Sequence, residues 1–162
     1  MDLHLDEKVF VVTGGMGGIG KAIVFALARE GAIPVILDRT PLSADYKTEI
    51  EKLTANYAAY EIDLNDTDDI AGIIDAAYQR YGRIDGIVNN AGANDNKSLE
   101  ETSWREFEQS LHSNLTHYYE TVHAAQKYLQ DSAGAILNIG SKTALTGQGK
   151  TSAYAAAKGA IL

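Results

Sequence analysis

The chain has 162 residues, 45% hydrophobic and 22% charged, which is ordinary globular composition and enough for one domain with its own core. Its 14 basic and 22 acidic residues leave a net charge of -8 with no basic run, which argues against a nucleic-acid partner. The absence of cysteine excludes disulfides and thiolate chemistry.

The opening MDLHLDEKVFVV does not read as a secretory leader, and no run of about 18 apolar residues occurs. No membrane partner is expected, and a cytoplasmic location is the default. His4, His112, His117 and His123 have no compact ligand spacing, so no metal site is expected.

Strand-like and helix-like segments alternate, the pattern of βαβ units around a parallel sheet. The first strand is KVFVVT, residues 8–13, and the spacing predicts a helix over 18–30 with Ile19, Ile23, Ala26 and Leu27 on one side, ended by Gly31. The second strand is IPVILD, residues 33–38. A polar helix over 45–56 turns Ile50 and Leu53 inward, and the third strand covers 57–63. A helix over 66–81 presents Ile70, Ile73, Ile74, Ala77 and Tyr81, and the fourth strand covers 84–90.

Ser103 and Glu106 have the spacing of a capping box, which opens one long helix to residue 129 carrying Phe107, Leu111, Leu115, Tyr118, Tyr119 and Val122. Its apolar stripe reads either as internal or as an oligomer surface, with His117 and Tyr118 flanking a helix interface. The fifth strand covers 135–141, and a loop with Gly147 and Gly149 leads to a helix from near Ser152. The last residues, AYAAAKGAIL, look like the first turns of a buried helix, and the fifth strand has no outer neighbour. The expected fold is therefore α/β: a doubly wound parallel sheet in three layers, α/β/α, one domain over 1–162 truncated at its C-terminal end.

TGGMGGIG, residues 13–20, lies between a strand and a helix, where a dinucleotide-binding turn belongs. Gly14, Gly18 and Gly20 form a G-x3-G-x-G spacing, while Gly15, Gly17 and Gly20 satisfy GxGxxG. Glycine allows the tight turn and close backbone approach, and the helix N-terminus beginning at Gly18 and Ile19 offers free amides to an anion. Asp38, ending the second strand, can accept from both adenine-ribose hydroxyls and would repel a 2'-phosphate, which favours NAD over NADP. Arg39 beside it can pair with a phosphate and points the other way. Met16 touches the cofactor or fills a gap. Asp63 and Leu64 reach the adenine edge, or Asp63 caps the following helix.

Tyr154 and Lys158, four residues apart on one helix, form an acid/base pair in which the ammonium favours the phenolate. Ser141 at the end of the fifth strand can hydrogen-bond a substrate oxygen. Asn114 inside the long helix can hold a water or a carbonyl. Surface pairing, strand capping and a satisfied core amide are the respective structural alternatives. The polar residues Asn94, Lys142 and Gln148 suit a substrate with several hydroxyls, or are ordinary loop residues.

The chain resembles the classical short-chain dehydrogenase/reductase family in TGGMGGIG at 13–20, Asp38, Asp63, NNAG at 89–92, Asn114, Ser141 and YAAAK at 154–158. The resemblance implies a Rossmann-type fold, a homo-dimer or homo-tetramer, and a tetrad of Asn114, Ser141, Tyr154 and Lys158. In it Tyr154 is the acid/base, Ser141 orients the substrate, Lys158 holds the nicotinamide ribose and lowers the tyrosine pKa, and Asn114 keeps a relay water. Asn90, Ala91 and Gly92 would line the cofactor. SKTALTGQGKTSAYAAAKG and NNAGAND narrow the likeness to L-fucose and aldose dehydrogenases, which implies NAD as cofactor and a sugar or polyol as small-molecule partner. A ketone or 3-oxoacyl reductase is the enzyme alternative, and a catalytically silent nucleotide-binding or assembly module is the alternative of another class.

Overall fold

The computed structural model describes residues 3–162. Five strands, β1 (Val9–Thr13), β2 (Ile33–Asp38), β3 (Ala58–Glu61), β4 (Gly86–Asn89) and β5 (Ala135–Asn138), form one sheet in the order β3-β2-β1-β4-β5. All pairings are parallel. The helices are α1 (Gly18–Arg29), α2 (Ala44–Ile50), α3 (Asp68–Tyr81), α4 (Trp104–Leu111), α5 (His117–Ser132), α6 (Thr143–Thr146) and α7 (Ser152–Ile161).

The central strands are buried on both faces, so successive side chains enter two different cores. Val9, Val11, Val35, Leu37 and Ile87 pack with Ile70 and Ile74 of α3 and with Ala125, Tyr128 and Leu129 of α5. Val12, Ile36 and Val88 point the other way, onto Val24 of α1 and Tyr46 and Ile50 of α2. The chain is thus a doubly wound α/β/α sandwich. At the amino edge of the sheet, buried Asp85 accepts from the Val9 amide (2.9 Å) and from Arg83 through Nε (2.7 Å) and Nη2 (2.6 Å), which ties β1 to β4.

Strand order reverses between β1 and β4, because β1 leads to β2 on one side and α3 carries the chain back to the other. Such a switch point leaves a crevice at the carboxyl ends of the two strands. β5 stands at the sheet edge with Ile136 48% and Leu137 52% exposed, unlike the buried central strands.

Several elements differ from the sequence reading. The strands are shorter because their ends leave the ladder: β3 pairs with β2 only through Ala58–Glu61, and Ile62 and Asp63 already belong to the loop. The second helix ends at Ile50 rather than 56. On α1 the inward stripe is Gly20, Val24 and Ala28, with Ile19 62% exposed and Ala26 also outside.

The long helix is two. Ser103 and Glu106 do form the capping box, but a π-helical turn at His112–Thr116 separates α4 from α5, which continues to Ser132. The extra residue rotates the following face by about 100°. Beyond the turn Tyr119 (68%) is consequently exposed while His117 and Tyr118 face inward with Asn114 of the turn itself; Phe107 (39%), on α4 ahead of the turn, is also exposed. Among the described residues no helix is long and apolar enough to cross a membrane.

Candidate active site

A cavity of about 810 Å³ follows the carboxyl edge of the sheet, lined by residues that succeed each of the five strands. At one end stand Asp38, Arg39, Asp63 and Leu64. At the other are Ser141, Tyr154 and Lys158, with the Gly14–Ile19 turn and Asn90–Asn94 between.

The turn after β1 is held from three sides. Gly14 has φ 66°, and a Cβ on Gly20 would lie 2.0 Å from the Gly14 carbonyl oxygen. The backbone therefore uses the 14, 18, 20 spacing, with Gly18 at φ 52°, while an added Cβ at Gly17 meets nothing within 4 Å. Asn90 donates through Nδ2 to the carbonyls of Thr13 (3.0 Å) and Gly14 (3.1 Å), and its amide donates to Thr13 Oγ1 (2.9 Å). The Tyr46 hydroxyl donates to the Gly15 carbonyl (2.8 Å); burial, then the nearby Asp38 charge, raises its pKa.

One carboxylate oxygen of Asp38 accepts from the Met16 amide (2.9 Å) and the other from the Thr40 amide (2.8 Å). Each oxygen keeps a lone pair for a further donor. Met16 is absent from the cavity lining and its side chain packs on the core beneath α1 and α2, which fits the gap-filling reading. Asp63 Oδ1 accepts from the Asn65 amide (3.0 Å) and side chain (2.8 Å), and these bonds hold its carboxyl below the usual range. It closes a turn beside the cavity and does not cap α3, whose N-cap is Thr67.

Across the cavity, Asn114 lies in the π turn, where its Oδ1 accepts from the Ala93 amide (2.9 Å) and its Nδ2 donates to the Ser110 carbonyl (3.0 Å). The Ser141 hydroxyl exchanges a hydrogen bond with Thr143 Oγ1 (2.8 Å) at the start of α6. α7 packs against α4, the π turn and α6 and carries both Tyr154 and Lys158. Lys158 is 2% exposed, and burial pushes its pKa down to about 8. Its Nζ donates to the Tyr118 hydroxyl (2.8 Å) and the Ile139 carbonyl (2.9 Å) and lies 5.9 Å from the Tyr154 ring centre.

The structure thus brings together Asn114, Ser141, Tyr154, Lys158, Gly14, Gly18, Ile19, Asp38, Arg39, Asp63, Leu64, Asn90, Ala91, Gly92 and Asn94. Gly20 stands behind the turn. Lys142 and Gln148 are not brought in: both are exposed at the ends of α6, whose buried member is Thr143.

Sequence reasoning missed Lys97, Glu106, Gln109, Ser113 and His117 on the lining, and Tyr118 behind it. For Glu106, Gln109, Ser113 and His117 the signal was a polar face at helical spacing around Asn114; Lys97, in the loop after β4, had none. Lys97 and Glu106 form an ion pair (2.5 Å) that, with Ser103, holds the Glu106 carboxyl down to about 2. His117 is buried within the chain. Its Nε2 donates to the Ser113 carbonyl (3.1 Å), and burial pushes its pKa down to about 4.

Residues 8–162 match the family model described as short chain dehydrogenase. The chain belongs to the short-chain dehydrogenase family. L-fucose dehydrogenase of Rattus norvegicus is 36% identical over 155 residues, 95% of this chain and 56% of its own length. This short-chain dehydrogenase chain thus spans little more than half of that relative. The crystal structure of Cj0485 dehydrogenase matches at a TM-score of 0.96 and 43% identity, covering 99% of this chain and 62% of that one. NADH-dependent reductase A1-R', in complex with NAD, matches at a TM-score of 0.91 and 26% identity, covering 99% and 71%.

Proposed function

We propose that this chain binds NAD along the carboxyl edge of its sheet and serves the oxidation of a sugar or polyol hydroxyl, with L-fucose or a related aldose as the leading substrate. The observation that carries the reading is the single cavity joining Asp38 and the Gly14–Ile19 turn to Tyr154 and Lys158. The residues fit the cofactor: Gly17 and Gly18 line the cavity where an added methyl would occupy the space of a phosphate, α1 directs its amino end there, and Asp38 suits a ribose diol. The complex of a 26% identical relative with NAD supports the same choice.

NAD, when bound, supplies a hydride acceptor. The chain's own groups do the rest. Tyr154 takes the proton of the reacting hydroxyl, so that an aldose loses hydride from its anomeric carbon and becomes a lactone. Lys158, charged below its pKa of about 8, favours the phenolate. Ser141 positions the substrate oxygen, and Asn114 fixes the loop after β4 through Ala93. The rim of Asn94, Asp95, Lys97, Glu106 and Gln109 gives hydroxyls more partners than a steroid or acyl chain would need. Trp104 (61%), Phe107 and Tyr119, exposed along α4 and α5, support assembly of the protein as a dimer or tetramer.

A panel of aldoses, polyols and ketones assayed for NADH at 340 nm tests the substrate class. Turnover confined to aldoses supports it, and turnover of ketones or acyl thioesters alone overturns it. Binding of NAD without turnover of any alcohol favours the silent nucleotide-binding module, a reading that the contact of Lys158 with Tyr118 rather than Tyr154 keeps in play.

A further inference from the structure

A buried ammonium needs acceptors for its three N–H donors, and a carboxylate is the usual partner. Among the described residues Lys158 forms no ion pair. It has the Ile139 carbonyl and one phenol, and that phenol is Tyr118 of α5.

Tyr118 is 4% exposed and anchored at both ends. Its hydroxyl donates to the Ile139 carbonyl (3.1 Å) while accepting from Lys158, and its main-chain carbonyl accepts from Asn89 Nδ2 (3.2 Å). The ammonium also sits 4.7 Å from the centre of the Tyr118 ring, closer than to that of Tyr154 at 5.9 Å. The π turn makes this possible, because its extra residue turns Asn114 and Tyr118 toward α7.

We propose that Tyr118 is a positioning residue for Lys158, its hydroxyl bridging the ammonium and the Ile139 carbonyl so that one N–H is left to face the cavity beside Gly92. This rests on the reading of Lys158 as the group that governs Tyr154. The titratable groups facing the ammonium are Tyr118 and His117 on α5 and Tyr154 on its own helix; Ile139 and Gly92 bring no charge. His117 is uncharged near neutral pH, so it neither competes for the site nor repels the lysine.

Tyr118→Phe keeps the ring and removes the acceptor. Loss of a hydrogen bond to the charged form lowers a lysine pKa, here by about one unit. The test is a titration of Lys158 by NMR in protein labelled with 13C at lysine Cε, the resonance being assigned with Lys158→Met and no cofactor present. A fall of about one unit from wild type to Tyr118→Phe is expected. In the active protein the same variant should lose kcat near pH 8 and recover it near pH 6.5, where the lysine recharges, with KM unchanged.

If Tyr118→Phe does not fold, 3,5-difluorotyrosine at 118 keeps the shape and makes the phenol more acidic. Burial raises the pKa of this phenol and keeps it protonated, so its poorer acceptor oxygen should lower the Lys158 pKa, by less than Tyr118→Phe does. A Lys158 titration unmoved by either change overturns the proposal, even if Tyr118→Phe lowers stability. Because the titration needs neither NAD nor turnover, it fails separately from the proposed function.

Discussion

Replacing Gly20 with alanine puts a methyl carbon 2.0 Å from the Gly14 carbonyl oxygen and 2.6 Å from Asn90 Nδ2, where ordinary contact begins at 3.4 Å. The 1.4 Å shortfall against Gly14 is a contact with main chain, so no rotamer change relieves it and α1 must retreat from β1. Overpacking of this kind costs about 1–3 kcal/mol, and loss of an Asn90 bond to the turn adds about 1 kcal/mol. The better helix propensity of alanine offsets less than about 1 kcal/mol. Urea denaturation of Gly20→Ala should therefore show a loss of about 2–3 kcal/mol and calorimetry at least about tenfold weaker NAD binding. Gly17→Ala is the control, since a Cβ there meets nothing within 4 Å, and its stability should stay within about 0.5 kcal/mol of the parent. Equal stability of the two variants at an unchanged m-value would refute the argument that Gly20 is required by close approach.

Asp38→Ala leaves the Met16 and Thr40 amides without their acceptor and removes the charge that opposes a 2'-phosphate. The ratio of NADP to NAD dissociation constants should fall at least about tenfold, and an unchanged ratio would remove Asp38 from the selectivity argument. Burial pushes the His117 pKa in the folded chain down to about 4 from its ordinary 6.5, so the unfolded chain binds the extra proton between these values. Its contribution to stability is whole above pH 6.5 and is lost as pH falls through 4, about 3 kcal/mol in all. His117→Gln should flatten the stability profile between pH 6.5 and 4; a slope equal to that of wild type contradicts the assignment.

The alternation of apolar strands with amphipathic helices was legible because burial on both faces demands continuous runs such as VFVV in β1 and IPVIL in β2. So was the glycine turn, although its choice between two spacings was not: only the backbone, with positive φ at Gly14 and Gly18, selects 14, 18 and 20. The π turn was invisible. Leu111, Leu115, Tyr118 and Val122 keep a helical period across it, and a one-residue insertion in hydrogen bonding has no composition of its own. That single feature moved Tyr119 outward and hid the contact of Tyr118 with Lys158. Ile19 was read both as part of the inward stripe and as part of the anion-facing turn, and the structure puts it on the cavity: at the first turn of a helix aimed at a cavity, an apolar residue can line the opening instead of the core. Lys142 and Gln148 looked like rim residues by position, yet the short α6 turns its hydroxyl rather than its ends inward.

The central claim, a dinucleotide lying from Asp38 to Tyr154, is tested most directly by a crystal structure of the protein grown with NAD. The account predicts the pyrophosphate on the Gly14–Ile19 turn, the adenine ribose on Asp38 and the nicotinamide end beside Tyr154 and Lys158. NAD bound anywhere else, or bound with its nicotinamide end away from Tyr154, would contradict it.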